Sequence, residues 1–130
     1  MKLSQAELDI MLVLWECEEP IRPSALLKKM EETHDWSIST LQTLLARLEQ
    51  KELVRTECRK RFRYCSPMLS KDAYFAMEAQ SLFHRLESVS AVPLMVGLIN
   101  SDRMTEAELT EIEELLRDAK KRLSNRGVGN

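Results

Sequence analysis

A mainly α-helical fold carrying one small β-hairpin is what the sequence predicts, and three observations predict it. Leu41, Leu44, Leu45 and Leu48 recur at i, i+3, i+4 and i+7, the spacing that gathers apolar side chains on one helix face. The stretch 53–66 then changes period: Phe62 and Tyr64 alternate with Arg61, Arg63 and Cys65, as in a half-buried strand. Beyond residue 70, two further stripes at helical spacing run almost to the end of the chain.

Taken in order, Ser4-Gln-Ala-Glu7 fits a capping box, the Ser hydroxyl capping the first turn while the Glu reaches back to the Ser amide. The helix it opens carries Leu8, Met11, Leu12 and Trp15 as its apolar stripe, with Trp15 as a core anchor, and runs to about Cys17. Glu18-Glu19-Pro20 breaks it. Ile21-Arg22-Pro23-Ser24 restarts the chain, Pro suiting a first helical position. Leu26, Leu27 and Met30 of this short helix point inward, and Lys28 and Lys29 face water or a phosphate backbone. Ser37 and Ser39 are the candidate caps of the third helix, to Lys51. Two strands follow around a polar Cys58-Arg59-Lys60 turn, before Ser66-Pro67. Three helices with short links and an exposed third member, then a hairpin, make a winged helix-turn-helix over 1–68. Residues 69–130 make a helical arm with a disordered tail from about 125.

Composition bounds the function. The chain has 130 residues, enough for one ordinary domain or a small one with an extension. No apolar run reaches the length of a membrane span and Met1 to Glu7 lacks a signal-peptide core, so no membrane insertion and a cytoplasmic location are expected. Cys17, Cys58 and Cys65 form no CxxC pair, so neither a disulfide framework nor a metal site is expected. His34 and His84 stand alone and no Gly-rich phosphate loop occurs; neither an enzyme nor a cofactor is expected. The net charge of −2 hides an uneven distribution. Residues 1–35 hold four basic and eight acidic side chains, whereas 36–68 hold seven basic and three acidic. A polyanion responds to that local field rather than to the total.

Opposite the leucines, the third helix offers Ser39, Thr43, Arg47 and Gln50, flanked by Thr40 and Gln42. These are hydrogen-bonding groups of a size that fits the major groove of double-stranded DNA. A threonine can bond a base edge or pack its methyl on thymine, and an arginine can reach guanine or a phosphate. Arg59, Lys60 and Arg61 at the hairpin tip, with Arg63 on its arm, would hold the sugar-phosphate backbone without regard to sequence. The bland alternatives are a solvated helix face and a charge run that protects a strand edge from aggregation.

With these residues in hand, the chain resembles the penicillinase-repressor type of winged-helix protein, the BlaI/MecI/CopY family. The resemblance rests on Ser4-x-x-Glu7-Leu8 with Trp15, on Trp36-Ser37 leading to Thr40-Leu41-Gln42-Thr43-Leu44-Leu45-x-Arg47-Leu48, on the basic strand ending in Ser66-Pro67, and on Met104-Thr105-x-x-Glu108-Leu109. It implies a homodimer on a two-fold operator that represses resistance or homeostasis genes, with a membrane sensor-protease pathway upstream in the best-known members. Three departures stand out. Lys60 occupies a wing position that is often glycine in the family, and the aromatics Phe62 and Tyr64 are shifted by one residue. The tail has no cysteine for copper. Gly97-Leu98 stands where the β-lactam-responsive members carry a cleavable Asn-Phe bond.

In the arm, Ser70 caps a helix with Phe75, Ala79, Leu82, Phe83 and Leu86 on one side. Pro93 to Asn100 reads as a short helix buried on several faces. Thr105-Glu-Ala-Glu108 is a second capping box, opening a helix striped by Leu109, Ile112, Leu116, Ala119 and Leu123. About sixty residues enclose little core alone, so Phe75, Leu82, Phe83, Leu86, Leu109, Ile112 and Leu116 are expected to meet a second copy. Rival readings of the same fold are a protein-interaction module and a redox or ligand-sensing regulator acting through Cys58 and Cys65 in the wing.

Overall fold

The computed structural model describes residues 2–86 and 90–127. It contains six helices and one hairpin: α1 Gln5–Glu16, α2 Pro23–Met30, α3 Ile38–Gln50, β1 Val54–Arg59, β2 Phe62–Pro67, α4 Lys71–Arg85, α5 Val92–Ile99 and α6 Glu106–Asn125. The chain divides into two compact units, 1–81 and 82–130. The first is a winged helix-turn-helix. Among the described residues, no helix is long and apolar enough to cross a membrane.

The core of the first unit gathers one face from each of its elements. Ile10, Met11 and Leu14 of α1 meet Leu26 and Met30 of α2, the four leucines of α3, Leu53, Val54, Cys65 and Tyr74. Burying each such side chain contributes about 1.5–3 kcal/mol, which outweighs the modest propensity of these short helices. The α3 stripe is as expected. On α1 the buried face is rotated from the expected one: Ile10 and Leu14 are enclosed, whereas Leu12 is 37% exposed and Leu8 and Trp15 are half-buried at the core's margin. An all-apolar run such as Ile10-Met-Leu-Val-Leu-Trp15 carries too little polar contrast to fix which face turns inward.

The hairpin departs from expectation at its turn. Arg59 pairs with Phe62, so the connection is the two-residue Lys60-Arg61, with φ of 49° and 79°. Two consecutive positive φ values define the mirror-image turn whose twist matches a β-ribbon. The chain builds it without the usual Asn-Gly. The faces also differ from the aromatic-inward reading: Cys65 is buried, Phe62 is 45% exposed and Tyr64 is half-buried. The reason lies in Ile21, whose amide and carbonyl bond Cys65 O and N at 2.9 and 2.7 Å. That single bridge adds a third strand position beside β2 and fixes Cys65 toward the core.

In the second unit, α6 opens on the expected capping box: the Thr105 hydroxyl accepts from the Glu108 amide at 3.1 Å, and Glu108 accepts from the Thr105 amide at 2.9 Å. Its helix runs through Asn125; residues 128–130 of the expected tail lie outside the described residues. Helix α5, expected to be buried on several faces, has no buried residue; Gly97 and Leu98 are exposed within it. Ala91, Leu94 and Met95 are half-buried, and among the described residues none encloses the helix further.

Candidate nucleic-acid interface

Helix α3 is held at both ends. Ser37 caps its start, its hydroxyl accepting from the Thr40 amide at 3.1 Å, while Ser39 lies inside the helix. At the far end Leu53 N bonds Leu48 O at 3.0 Å and Glu52 N bonds Glu49 O at 2.9 Å, with Glu52 at φ 61°. This paired pattern closes the helix around a left-handed residue, usually glycine. Lys51 Nζ then donates to both oxygens of Glu7 at 2.8 and 3.0 Å and to Lys2 O at 2.9 Å, tying the end of α3 to the start of α1. Glu7 is 3% exposed. Burial alone raises its pKa, but the hydrogen bonds from Lys51 and from the Ser4 amide and hydroxyl outweigh that and hold it below its ordinary value.

Between these anchors, Ser39, Thr40, Gln42, Thr43 and Arg47 are all exposed. The Thr43 hydroxyl donates to Ser39 O at 3.0 Å. Its proton is thereby occupied, so the side chain presents lone pairs and a methyl outward, which suits an amino donor or a thymine methyl. Ser37 Oγ likewise donates to Thr40 Oγ1 at 3.1 Å, so Thr40 shares in the cap. Gln42 lies beside Pro23, Thr56 and Arg63 at a shallow hollow where α2, α3 and the hairpin meet.

The four expected wing cations are exposed but differ in freedom. Arg59 reaches Glu57 at 2.9 Å, and Arg63 lies 3.8 Å from Glu49 of α3, which also accepts from the Thr56 hydroxyl. Lys60 and Arg61, at the tip, have no ion pair among the described residues. Sequence reasoning missed Arg22. Its guanidinium stacks 3.9 Å from the centroid of the exposed Phe62 ring, at the first turn of α2. No local pattern announces this contact, because forty residues separate the partners. Lys28 and Lys29, by contrast, lie among Glu31 and Glu32 and complement the negative end of α2. Among the described residues no cluster of His, Cys, Asp and Glu could hold a metal. Of the wing thiols, Cys58 is exposed and Cys65 is buried with its pKa pushed up by that burial, so Cys65 is a poor nucleophile.

The penicillinase repressor family matches residues 3–118. The chain belongs to that family. It is 25% identical over 121 residues, 93% of its length, to the penicillinase repressor of Bacillus licheniformis, of which 94% is covered. It is also 21% identical over 116 residues, 88% of this chain and 93% of the relative, to the methicillin resistance regulatory protein MecI of Staphylococcus aureus. The solution structure of the DNA-binding domain of the repressor BlaI superposes with a TM-score of 0.50 and 30% identity. The match covers 56% of this chain and 88% of that domain. The family is thus one of DNA-binding transcriptional repressors, not of enzymes.

Of the residues expected to dimerise, Phe83 and Leu116 are 46% and 57% exposed, and Leu82, Leu86, Leu109 and Ile112 are half-buried. Phe75 is 44% exposed but packs within the first unit, its ring 6.0 Å from that of Trp15. The sequence reading omitted the exposed Leu115 and Val92.

Proposed function

We propose that the protein is a cytoplasmic, sequence-specific repressor that binds a palindromic operator as a homodimer and controls β-lactam resistance or related stress genes. One observation carries this reading: a leucine-anchored α3 turns Ser39, Thr43 and Arg47 outward beside a hairpin tip whose two cations are unpaired among the described residues. α3 enters the major groove and supplies sequence preference, through Thr43 as acceptor and Arg47 as donor. Lys60 and Arg61 neutralise phosphates, and Arg59 and Arg63 assist from pairs that opening to DNA would exchange. The apolar faces of the second unit form the dimer, which places two α3 helices one turn of DNA, or a multiple, apart. Family membership and the names of the relatives support the resistance-gene assignment, and a membrane sensor-protease pathway is the corresponding source of induction. Gly97-Leu98 does not match the Asn-Phe bond cut in the β-lactam-responsive members, so the sequence lends no support to cleavage at this position.

Sites selected from random duplexes by the full-length protein test the reading. A palindrome is expected, and log affinity should fall against log salt by roughly 0.9 per phosphate contact. Thr43→Ala should relax preference at one base pair per half-site by about 1–3 kcal/mol, whereas Lys60→Ala should weaken cognate and random duplex alike and reduce the salt slope by about 0.9. Equal losses on both duplexes for Thr43→Ala would remove its reading role. Salt-insensitive binding would favour a protein partner instead.

A further inference from the structure

We propose that Trp15 is a positioning residue for operator recognition: it clamps the root of α4 to the DNA-binding unit and so sets the spacing of half-sites that the protein accepts. The inference rests on the homodimer reading above. Trp15 Nε1 donates to the carbonyl of Leu69 at 2.8 Å, in the short link between β2 and α4. Its ring lies 5.6 Å from that of Tyr74 and 6.0 Å from that of Phe75. Tyr74 is 5% exposed and is the one buried residue of α4. Ser70 completes the root, its hydroxyl accepting from the Ala73 amide at 3.1 Å. One side chain of α1 thus holds the link by a hydrogen bond and the first turn of α4 by ring packing, while the rest of that helix has no buried anchor.

A core indole would serve stability alone if it were enclosed. Trp15 instead sits half-buried at the core's edge, with its polar atom spent on the link between β2 and α4, the helix that begins in the first unit and runs on into the second. The lever is long. Fifteen residues of α4 span about 22 Å at 1.5 Å per residue, so a tilt of about 10° at the root moves its far end about 4 Å. That is roughly one base-pair step of the duplex. A loose root would let each DNA-binding unit swing independently and accept several half-site separations. A fixed root selects one.

The test uses full-length protein and duplexes carrying two copies of a selected half-site, with the separation stepped one base pair at a time, beside a duplex with a single half-site. Trp15→Phe removes the N–H and shrinks the ring. Phe75→Leu removes the stack on Trp15 but keeps a surface apolar group, so folding and any dimer contact there are preserved. Wild type should show a sharp optimum that repeats with the helical turn. In both variants the ratio of best to worst spacing should shrink by about tenfold, the scale on which lost geometric fit lowers effective concentration, with single half-site affinity within about twofold of wild type. Profiles as sharp as wild type in both variants overturn the clamp. Loss of single half-site binding in step with spacing selectivity in both also overturns it, since Trp15 would then act only on the fold. A wild-type profile flat in spacing overturns the homodimer reading and the clamp with it, which separates the two failures.

Discussion

At the residue scale, the exposed face of α3 depends on groups that lie outside that face. Lys51 sits where α3 ends, and both its bonds to Glu7 and its bond to Lys2 O run back to the start of α1. Glu7 is therefore both the second half of a capping box and the counter-ion of Lys51 at the end of α3. Its pKa lies below the ordinary 4.5, so the folded state binds its proton less readily than the unfolded chain does. Its contribution is present in full above about pH 4.5 and is lost as pH falls through the lowered folded value. Chemical denaturation of the wild type should show that loss on acidification below pH 4.5. Glu7→Gln, which keeps the shape but not the charge, should be less stable at pH 7 by on the order of 2 kcal/mol, because it leaves Lys51 with a neutral partner. The difference between the two proteins should narrow as the wild type is acidified. A constant difference from pH 7 to pH 3 would show that the ion pair contributes nothing.

At the element scale, the hairpin shows the sequence and the fold in tension. Lys60 and Arg61 both occupy left-handed conformations, where a side chain costs roughly 1–2 kcal/mol per residue relative to the right-handed form. Two cations at this turn thus weaken the hairpin while they charge its tip. Replacing them with Lys60→Asn and Arg61→Gly should raise stability by about 1 kcal/mol, the relieved strain less the extra freedom glycine gives the unfolded chain. The same change should cut the salt slope of DNA binding by about 1.8, two contacts at roughly 0.9 each. Thermal unfolding and salt titration of one double variant measure both, and a variant both more stable and undiminished in DNA binding would deny the tip its function. This conflict also explains what the sequence left hidden. Helices α3 and α6 were legible because their leucine spacing and their Ser37 and Thr105 caps are local signals. The two-residue turn was not, since Lys-Arg is not a turn dipeptide, and neither was the inward face of β2, which Ile21 fixes from forty-four residues away. Likewise the outward residues of α3 could be read from periodicity, while Arg22 on Phe62 and Arg63 beside Glu49 are tertiary contacts with no local mark.

At the scale of the whole molecule, the second unit is the least self-sufficient part. Val92, Val96 and Ile99 of α5 are 64%, 48% and 44% exposed, and Leu115, Leu116 and Leu123 of α6 are 60%, 57% and 61% exposed. Large exposed apolar surface of this kind marks a site of association in soluble proteins. On α6 the apolar stripe of Leu116, Ala119 and Leu123 is edged by Glu113, Arg117 and Lys120, a polar rim of both signs. A rim of both signs lets such a surface meet a second copy of itself under a two-fold operation, whereas a rim of one charge would repel its copy. If the arm is the dimer interface, folding and association are linked, and the thermal midpoint should rise with protein concentration. Leu116→Glu places a carboxylate in this stripe and its twin beside it in the partner. That variant should sediment as a monomer at micromolar concentration, lose the concentration dependence of its midpoint, and bind the full palindrome no better than a half-site. The loss of linked binding amounts to about 10²–10⁴ in affinity, with half-site affinity intact because the first unit keeps its own core. A Leu116→Glu protein that stays dimeric would move the interface off this face of α6, leaving the exposed α5 surface as the seat of association.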